Sequence, residues 1–237
     1  MSLTYTQLLD LIDDNVKSNS TSYSTADKTR DINLALDRAL SLIFSVGGTW
    51  QFDDSNHTDY PIITTDLVSG QRSYAFTSDG SSNLILEIYK VMVADSNGLF
   101  REMTPVDQQA VNPNSPSNYW DGLNTTGIPN TYDKTSNGIF LDPIPNYDRT
   151  AGLKIFINRE ASYFLTSDTT KKSGIAGLFH EYLALRPSYQ YAFRNSLPNT
   201  AVLKAETTEM ENAMMDYYKK REKDVIKRVT GKQNNYK

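Results

Sequence analysis

The apolar residues of this chain change their spacing twice, and that change restricts the fold class more than any other feature. Through the first 45 positions they recur every three to four residues. The long middle of the chain breaks into short β-type runs separated by turn residues. Beyond Lys172 the three-to-four spacing returns. One element cannot serve both patterns, because a period of 3.6 and a period of two line up different faces. The chain therefore reads as α+β, a helical bundle from N- and C-terminal helices with a central antiparallel β-sandwich-like domain. The expected division is 1–48 for the first helices, 49–172 for the β domain with its long loops, 173–230 for the last helices, and 231–237 for a basic tail.

The helical ends carry their own start and stop signals. Thr4-Tyr5-Thr6-Gln7 is a capping-box pattern, followed by Leu8, Leu9, Ile12 and Val16, which predicts a helix over Tyr5–Val16. After the Ser/Thr-rich stretch Ser18–Thr25, the positions Ile32, Ala35, Leu36, Ala39, Leu40, Ile43 and Phe44 predict a second helix over Ala26–Ser45, stopped by Gly47-Gly48. Ile175–Asn195 reads as a third helix that Pro187 kinks or breaks near Leu185. Thr200 is the expected cap of a final helix to about Val229, with Leu203, Met210, Met214, Tyr217, Tyr218, Arg221 and Val225 on its apolar stripe. Such a helix is longer than a compact domain requires, and it is expected to project or to pack on a neighbour. Met210, Met214 and Met215 read as packing residues.

In the middle, strands are expected at Gln71–Thr77, Leu84–Ala94, Leu99–Met103, Asn130–Lys134, Gly138–Leu141 and Leu153–Arg159. Asn97-Gly98 and Asn137-Gly138 mark hairpin turns between apolar runs. Pro143 and Pro145 place their segment at an edge. Val111–Gly127, with its Asn and Pro residues, reads as an irregular loop. Tyr119, Trp120, Tyr132 and Tyr147 are candidate anchors for a protein interface there, with packing over the sandwich core as the alternative.

Composition removes several kinds of chemistry. The 237 residues include no Cys, which excludes disulfides, thiolate metal sites and a cysteine nucleophile. No apolar run approaches the ~20 residues of a membrane span. The start of the chain has neither a basic segment nor an apolar core of the signal-peptide kind, so Asn19, Asn56 and Asn124 are not expected to be glycosylated. His180-Glu181 matches the first half of a zinc-protease motif, but position 184 is Ala and the other histidine is His57. The pairs Asp13-Asp14 and Asp53-Asp54 lie in polar surroundings and read as solvated. No phosphate-binding glycine loop or Gly-x-Ser-x-Gly elbow is present. The expectation is a protein that is not an enzyme and holds no cofactor or metal.

Charge is segregated. Asp216–Lys237 contains eight basic and three acidic residues, a net of +5, whereas the preceding part carries −9. An acidic body with a basic end points to an interaction tail, with a plain solvated helix as the alternative.

Several strings, in this order, resemble the head-to-tail adaptor (connector) proteins of tailed bacteriophages: Asp31-Ile32-Asn33-Leu34-Ala35-Leu36-Asp37-Arg38-Ala39-Leu40, Ser69–Phe76, Gly127–Asp133, Gly138–Pro145 and Ser173–Leu185 leading into the charged last helix. The resemblance implies a structural virion protein in the neck, assembled in the host cytoplasm. It implies a ring, commonly of twelve copies, between portal and tail, lining a conduit through which double-stranded DNA passes without specific binding. By the same analogy Lys219, Lys220, Arg221, Lys223, Lys227, Arg228, Lys232, Tyr236 and Lys237 would contact the portal. The aromatic residues Tyr119, Trp120, Tyr132 and Tyr147 would face the tail or further neck-ring proteins. Truncation after Asp216 is then expected to remove docking and spare the fold. The alternative is a second neck ring or a tail-attachment β-sandwich protein that does not touch the portal.

Overall fold

The computed structural model describes residues 2–46, 62–76, 78, 84–107, 125–135 and 138–221. Four helices occur among them: α1 (Tyr5–Val16), α2 (Thr25–Ser45), α3 (Tyr182–Arg194) and α4 (Thr200–Arg221). The capping box of α1 is complete. Thr4 Oγ1 accepts from the Gln7 amide, and Gln7 Oε1 accepts from the Thr4 amide at 2.9 Å. Lys17 ends the helix in the left-handed region, at φ 52°. Ser24 caps α2 through the Asp27 amide. Tyr5, Leu8, Ile12 and Val16 bury one face of α1 against Ile32, Leu36, Ala39 and Ile43 of α2, and against Tyr182, Leu183 and Ala192 of α3. The first and last helices thus close one bundle around residues far apart in sequence.

Two details of the last helices differ from expectation. Ile175–Asn195 is not one helix: Ala176 is extended (ψ 131°), Gly177–Phe179 form a short 3-10 turn, and α3 starts only at Tyr182. Pro187 then sits inside α3 without ending it. It forfeits one main-chain bond, to Leu183, and the helix persists because Leu183, Ala184, Leu185 and Ala192 are buried around that turn. Thr200 is the first residue of α4, and its hydroxyl donates to Leu197 O at 2.6 Å instead of capping an amide. The stop at Gly47-Gly48 and the stretch beyond Arg221 lie outside the described residues.

Between the helix pairs lie ten strands in the described residues. One sheet runs in the order β1 (Ile62–Leu67), β10 (Arg149–Arg159), β3 (Ile85–Ala94), β4 (Phe100–Glu102), antiparallel throughout. The second runs β2 (Ser73–Ala75), β8 (Gly138–Asp142), β7 (Thr131–Thr135), β5 (Thr104–Pro105). Not every pair is antiparallel: β5 joins β7 in parallel, as β6 (Thr126–Gly127) joins β9 (Ile144–Pro145). The inner faces of the two large sheets share a core of Leu67, Tyr74, Val91, Val93, Tyr132, Ile139, Leu141, Leu153 and Ile155. This β core is separate from the helical one.

The β3–β4 hairpin shows its turn chemistry plainly. Asp95 Oδ1 accepts from the amides of Asn97 (2.9 Å) and Leu99 (3.0 Å), and Gly98 takes φ +89°. The Leu99 amide foremost holds the Asp95 carboxyl below the usual carboxylate range. Strand β1 is absent from the sequence reading, and Thr64 and Thr65 within it mute its alternation. Residues 111–124 of the expected irregular loop are outside the described set, while its last residues form β6.

Gly138 is the tightest position of the β core, because a Cβ there would run into the Tyr74 carbonyl oxygen of the neighbouring strand. Gly138→Ala is expected to lower unfolding stability by roughly 1–3 kcal/mol, the usual range for overpacking. Urea denaturation followed by circular dichroism measures this, and an unchanged midpoint would show that the β2–β8 pair yields freely.

Candidate functional site

Helix α4 carries the sequence-predicted basic end, and its burial is confined to one narrow stripe. Leu203, Thr207, Met214 and Tyr218 are buried at spacings of four and seven, while most other positions face water. Met210 and Met215 are half-buried beside that stripe. The stripe runs almost to the end of the described helix: Tyr218 is 1% exposed, and its hydroxyl accepts from the Ala176 amide at 3.0 Å. Phe179 meets Tyr217 and Tyr218 with ring centroids 5.4 and 6.3 Å away. Up to Arg221, then, α4 does not project; it is packed.

Lys219 and Lys220 follow the Tyr218 anchor directly and are exposed. Arg221 is the last described helical residue. Lys223, Lys227, Arg228, Lys232, Tyr236 and Lys237 lie outside the described residues, as do Tyr119 and Trp120. Tyr132 is 2% exposed in the β core, so its side chain offers no anchor to a partner. Tyr147 is half-buried, and its hydroxyl donates to Ala94 O at 2.7 Å. Both tyrosines thus occupy the core position that their sequence context left as the alternative.

Two ionic hubs, around the buried Asp31 and the half-buried Glu211, set the bundle's geometry. Asp31 of α2 is fully buried; it accepts from Tyr23 Oη (2.6 Å), Arg30 Nε (3.1 Å) and Arg194 of α3 (3.0 Å). Glu211 of α4 receives Tyr182 Oη at 2.8 Å and Arg186 at 3.1 Å, with Arg38 of α2 at 3.4 Å. Each carboxylate is met by two arginines and a phenol. Such sets neutralise the charge of each carboxylate.

His180 and Asp13 are committed in a similar way. His180 is buried: Nε2 donates to Ile175 O at 3.0 Å, so Nδ1 accepts from the Leu3 amide at 3.1 Å. Both ring nitrogens hold main chain, and Glu181 is exposed beside them. Asp13 receives Lys28 and Ser18 at 2.5 Å each. His57, Asp53 and Asp54 lie outside the described residues. Among the described residues no group of three or more His, Asp or Glu side chains is placed to hold a metal ion. Two clefts flank the second sheet, of about 440 and 290 Å³. Their common cation, Lys134, donates its ammonium to Ile88 O.

One surface was not anticipated from the sequence. The outer face of the β1-β10-β3-β4 sheet bears aromatic rings with lysines over them: Lys154 Nζ lies 3.9 Å from the Phe100 ring centroid, and Lys90 Nζ 5.7 Å from that of Phe156. The signal is present in Lys154-Ile155-Phe156, where the residues flanking a core isoleucine are not simply polar. It becomes legible only when register brings β3, β4 and β10 together.

Burial first, then hydrogen bonding to a carboxylate, pushes the phenols of Tyr23 (to Asp31), Tyr182 (to Glu211) and Tyr163 (to Asp37) well above their ordinary value. These groups bind their protons more tightly folded than unfolded. Their contribution is therefore intact below pH ~10 and is lost as pH rises through the higher folded-state values. Alkaline titration is expected to show late tyrosinate absorbance coincident with loss of helix, and Tyr23→Phe should shrink that alkaline loss. Phenols that all ionise near pH ~10 in the folded protein would contradict it.

No helix among the described residues is long and apolar enough to cross a membrane. Compared with protein-family models and with curated proteins, the chain matches none of them.

Proposed function

We propose that this chain is a structural subunit of a phage neck, a head-to-tail adaptor that forms a ring with copies of itself between portal and tail. The observation that carries the reading is the Tyr218 anchor. The last helix is pinned to the bundle immediately before Lys219-Lys220, so the first basic residues of an acidic molecule are held at a fixed point. A net charge of −9 before Asp216 repels duplex DNA and suits a conduit wall, where phosphate contacts would slow passage. The committed state of Asp31, Glu211 and His180 likewise favours structural work over catalysis. A closed ring requires head-to-tail contacts between two different faces of each copy.

The Tyr218 anchor also relocates the experiment. Truncation after Asp216 would remove Tyr218 from the helical core, together with Tyr217, which packs edge-on to Phe179 at its rim, so the fold would not be spared. A chain ending at Arg221 and carrying Lys219→Glu and Lys220→Glu keeps the anchor. That variant is expected to retain its circular dichroism spectrum and to co-sediment with portal at least about tenfold more weakly. Several screened ion pairs of up to ~1 kcal/mol each exceed the ~1.4 kcal/mol that this factor needs. Undiminished co-sedimentation would refute portal contact through the basic end.

A further inference from the structure

An antiparallel sheet with one solvated face ordinarily turns polar side chains to water. The outer face of the β1-β10-β3-β4 sheet departs from that rule. Register aligns Thr64, Lys154, Met92 and Glu102 in one row across its four strands, and Ile62, Phe156 and Lys90 in the next. Phe100 lies under the Lys154 ammonium, and Tyr89, the extra residue where the β3–β10 register shifts, comes within 6.1 Å of the Phe156 ring. These side chains are half-buried or exposed. Lys90 is paired with Glu102 at 2.9 Å, but Lys154 has no carboxylate partner among the described residues. The face is thus apolar and aromatic, with Glu102 and Glu87 beside its lysines and Lys154 left without a carboxylate, and it has no covering layer among the described elements.

Helix α4 presents the complementary surface. Opposite its buried stripe lie Ala205, Glu209, Asn212 and Asp216, all exposed. Glu209 and Asp216 have no cationic partner among the described residues. This side of the helix carries two acids, with Lys219 following seven residues after Asn212 at its end. It spans a helix of 22 residues, ~33 Å long.

We propose that the outer face of this sheet receives the outward face of α4 from a second copy of the chain, with Lys154 set against Glu209 and Asp216. The inference rests on the ring reading and names its contact. An apolar sheet face is ordinarily covered by a helix or another sheet, and a closed ring joins two different surfaces. Lys154 on the sheet and Glu209 and Asp216 on the helix, each without an ionic partner among the described residues, are opposite in sign and match that requirement.

The absence of Cys makes the test clean. Thr64→Cys marks the sheet and Asn212→Cys marks the helix, both at exposed positions. Under mild oxidation, an equal mixture of the two full-length variants should give a disulfide-linked pair containing one of each, while either variant alone should not. Adding Lys154→Glu to the sheet variant should cut the yield at least about tenfold, because like charges then face one another. Glu209→Lys with Asp216→Lys on the helix variant should restore it. Linkage within Thr64→Cys alone would mean sheet against sheet. That result, or a ring seen by sedimentation with no mixed linkage, overturns this contact and leaves the ring reading standing. A chain that stays monomeric with and without portal, and never cross-links, overturns both.

Discussion

A carboxylate with no exposure to water, Asp31, joins the first part of the chain to the last through Arg194. Everything between those residues, including the whole β domain, is enclosed by that closure. The neighbouring contacts have the same long reach. The amides of Tyr5 and Leu3 bond to Lys171 O and His180 Nδ1, and Asn33 exchanges two hydrogen bonds with the main chain of Phe164. The helical bundle is therefore not two local hairpins. It forms only when the two ends meet, and it makes the β domain an insertion between α2 and the segment leading to α3.

Insertion explains why there are two apolar cores. Strand β10 ends at Arg159 in the sheet, and two residues later Ala161 is fully buried in the helical core. With so short a passage, the last strand hands the chain directly to the bundle. Tyr163 and Phe164 then fasten it to α2 through Asp37 and Asn33. The β domain can thus lose or gain loops without altering the closure. The helices have no such freedom, because α2, α3 and α4 share Glu211 as well as their apolar contacts.

Much of this was legible in the residues, for identifiable reasons. Helix α1 was readable to the residue, because a capping box and a four-position apolar face are both local signals. The Asn97-Gly98 turn was readable because a residue at φ +89° favours glycine. Three features escaped. Strand β1 was missed because its two central threonines follow no helical or strict alternating pattern. The break before α3 was missed because Ile175, Leu178, Phe179 and Tyr182 keep helical spacing through a 3-10 turn, and Leu178 turns out to be 68% exposed. The parallel pairing of β5 with β7 was out of reach, since strand direction is set by distant chain paths. At the candidate site, the exposed lysines at the end of α4 followed from charge arithmetic. Their anchor, Tyr218, looked like any other member of an apolar stripe.

The two ionic hubs bear on what kind of molecule this is. A buried ion pair seldom adds net stability over a well-packed apolar replacement, but removing one partner costs ~3–5 kcal/mol because the other is left stranded. Asp31 and Glu211 each lie between helices, so a rotation or one-turn slip of α3 or α4 would part the carboxylate from its arginines, and the fully buried Asp31 would be left unpaired. Apolar stripes alone tolerate such slips, since a neighbouring Leu or Met can take the vacated place. The hubs therefore fix register more than they add stability. If, as proposed, the outward helix face and the outward sheet face both meet neighbouring copies, an angular error would be repeated at every joint, and the circle would fail to close. Fixed register is what such a wedge requires, and it is the property these paired charges supply.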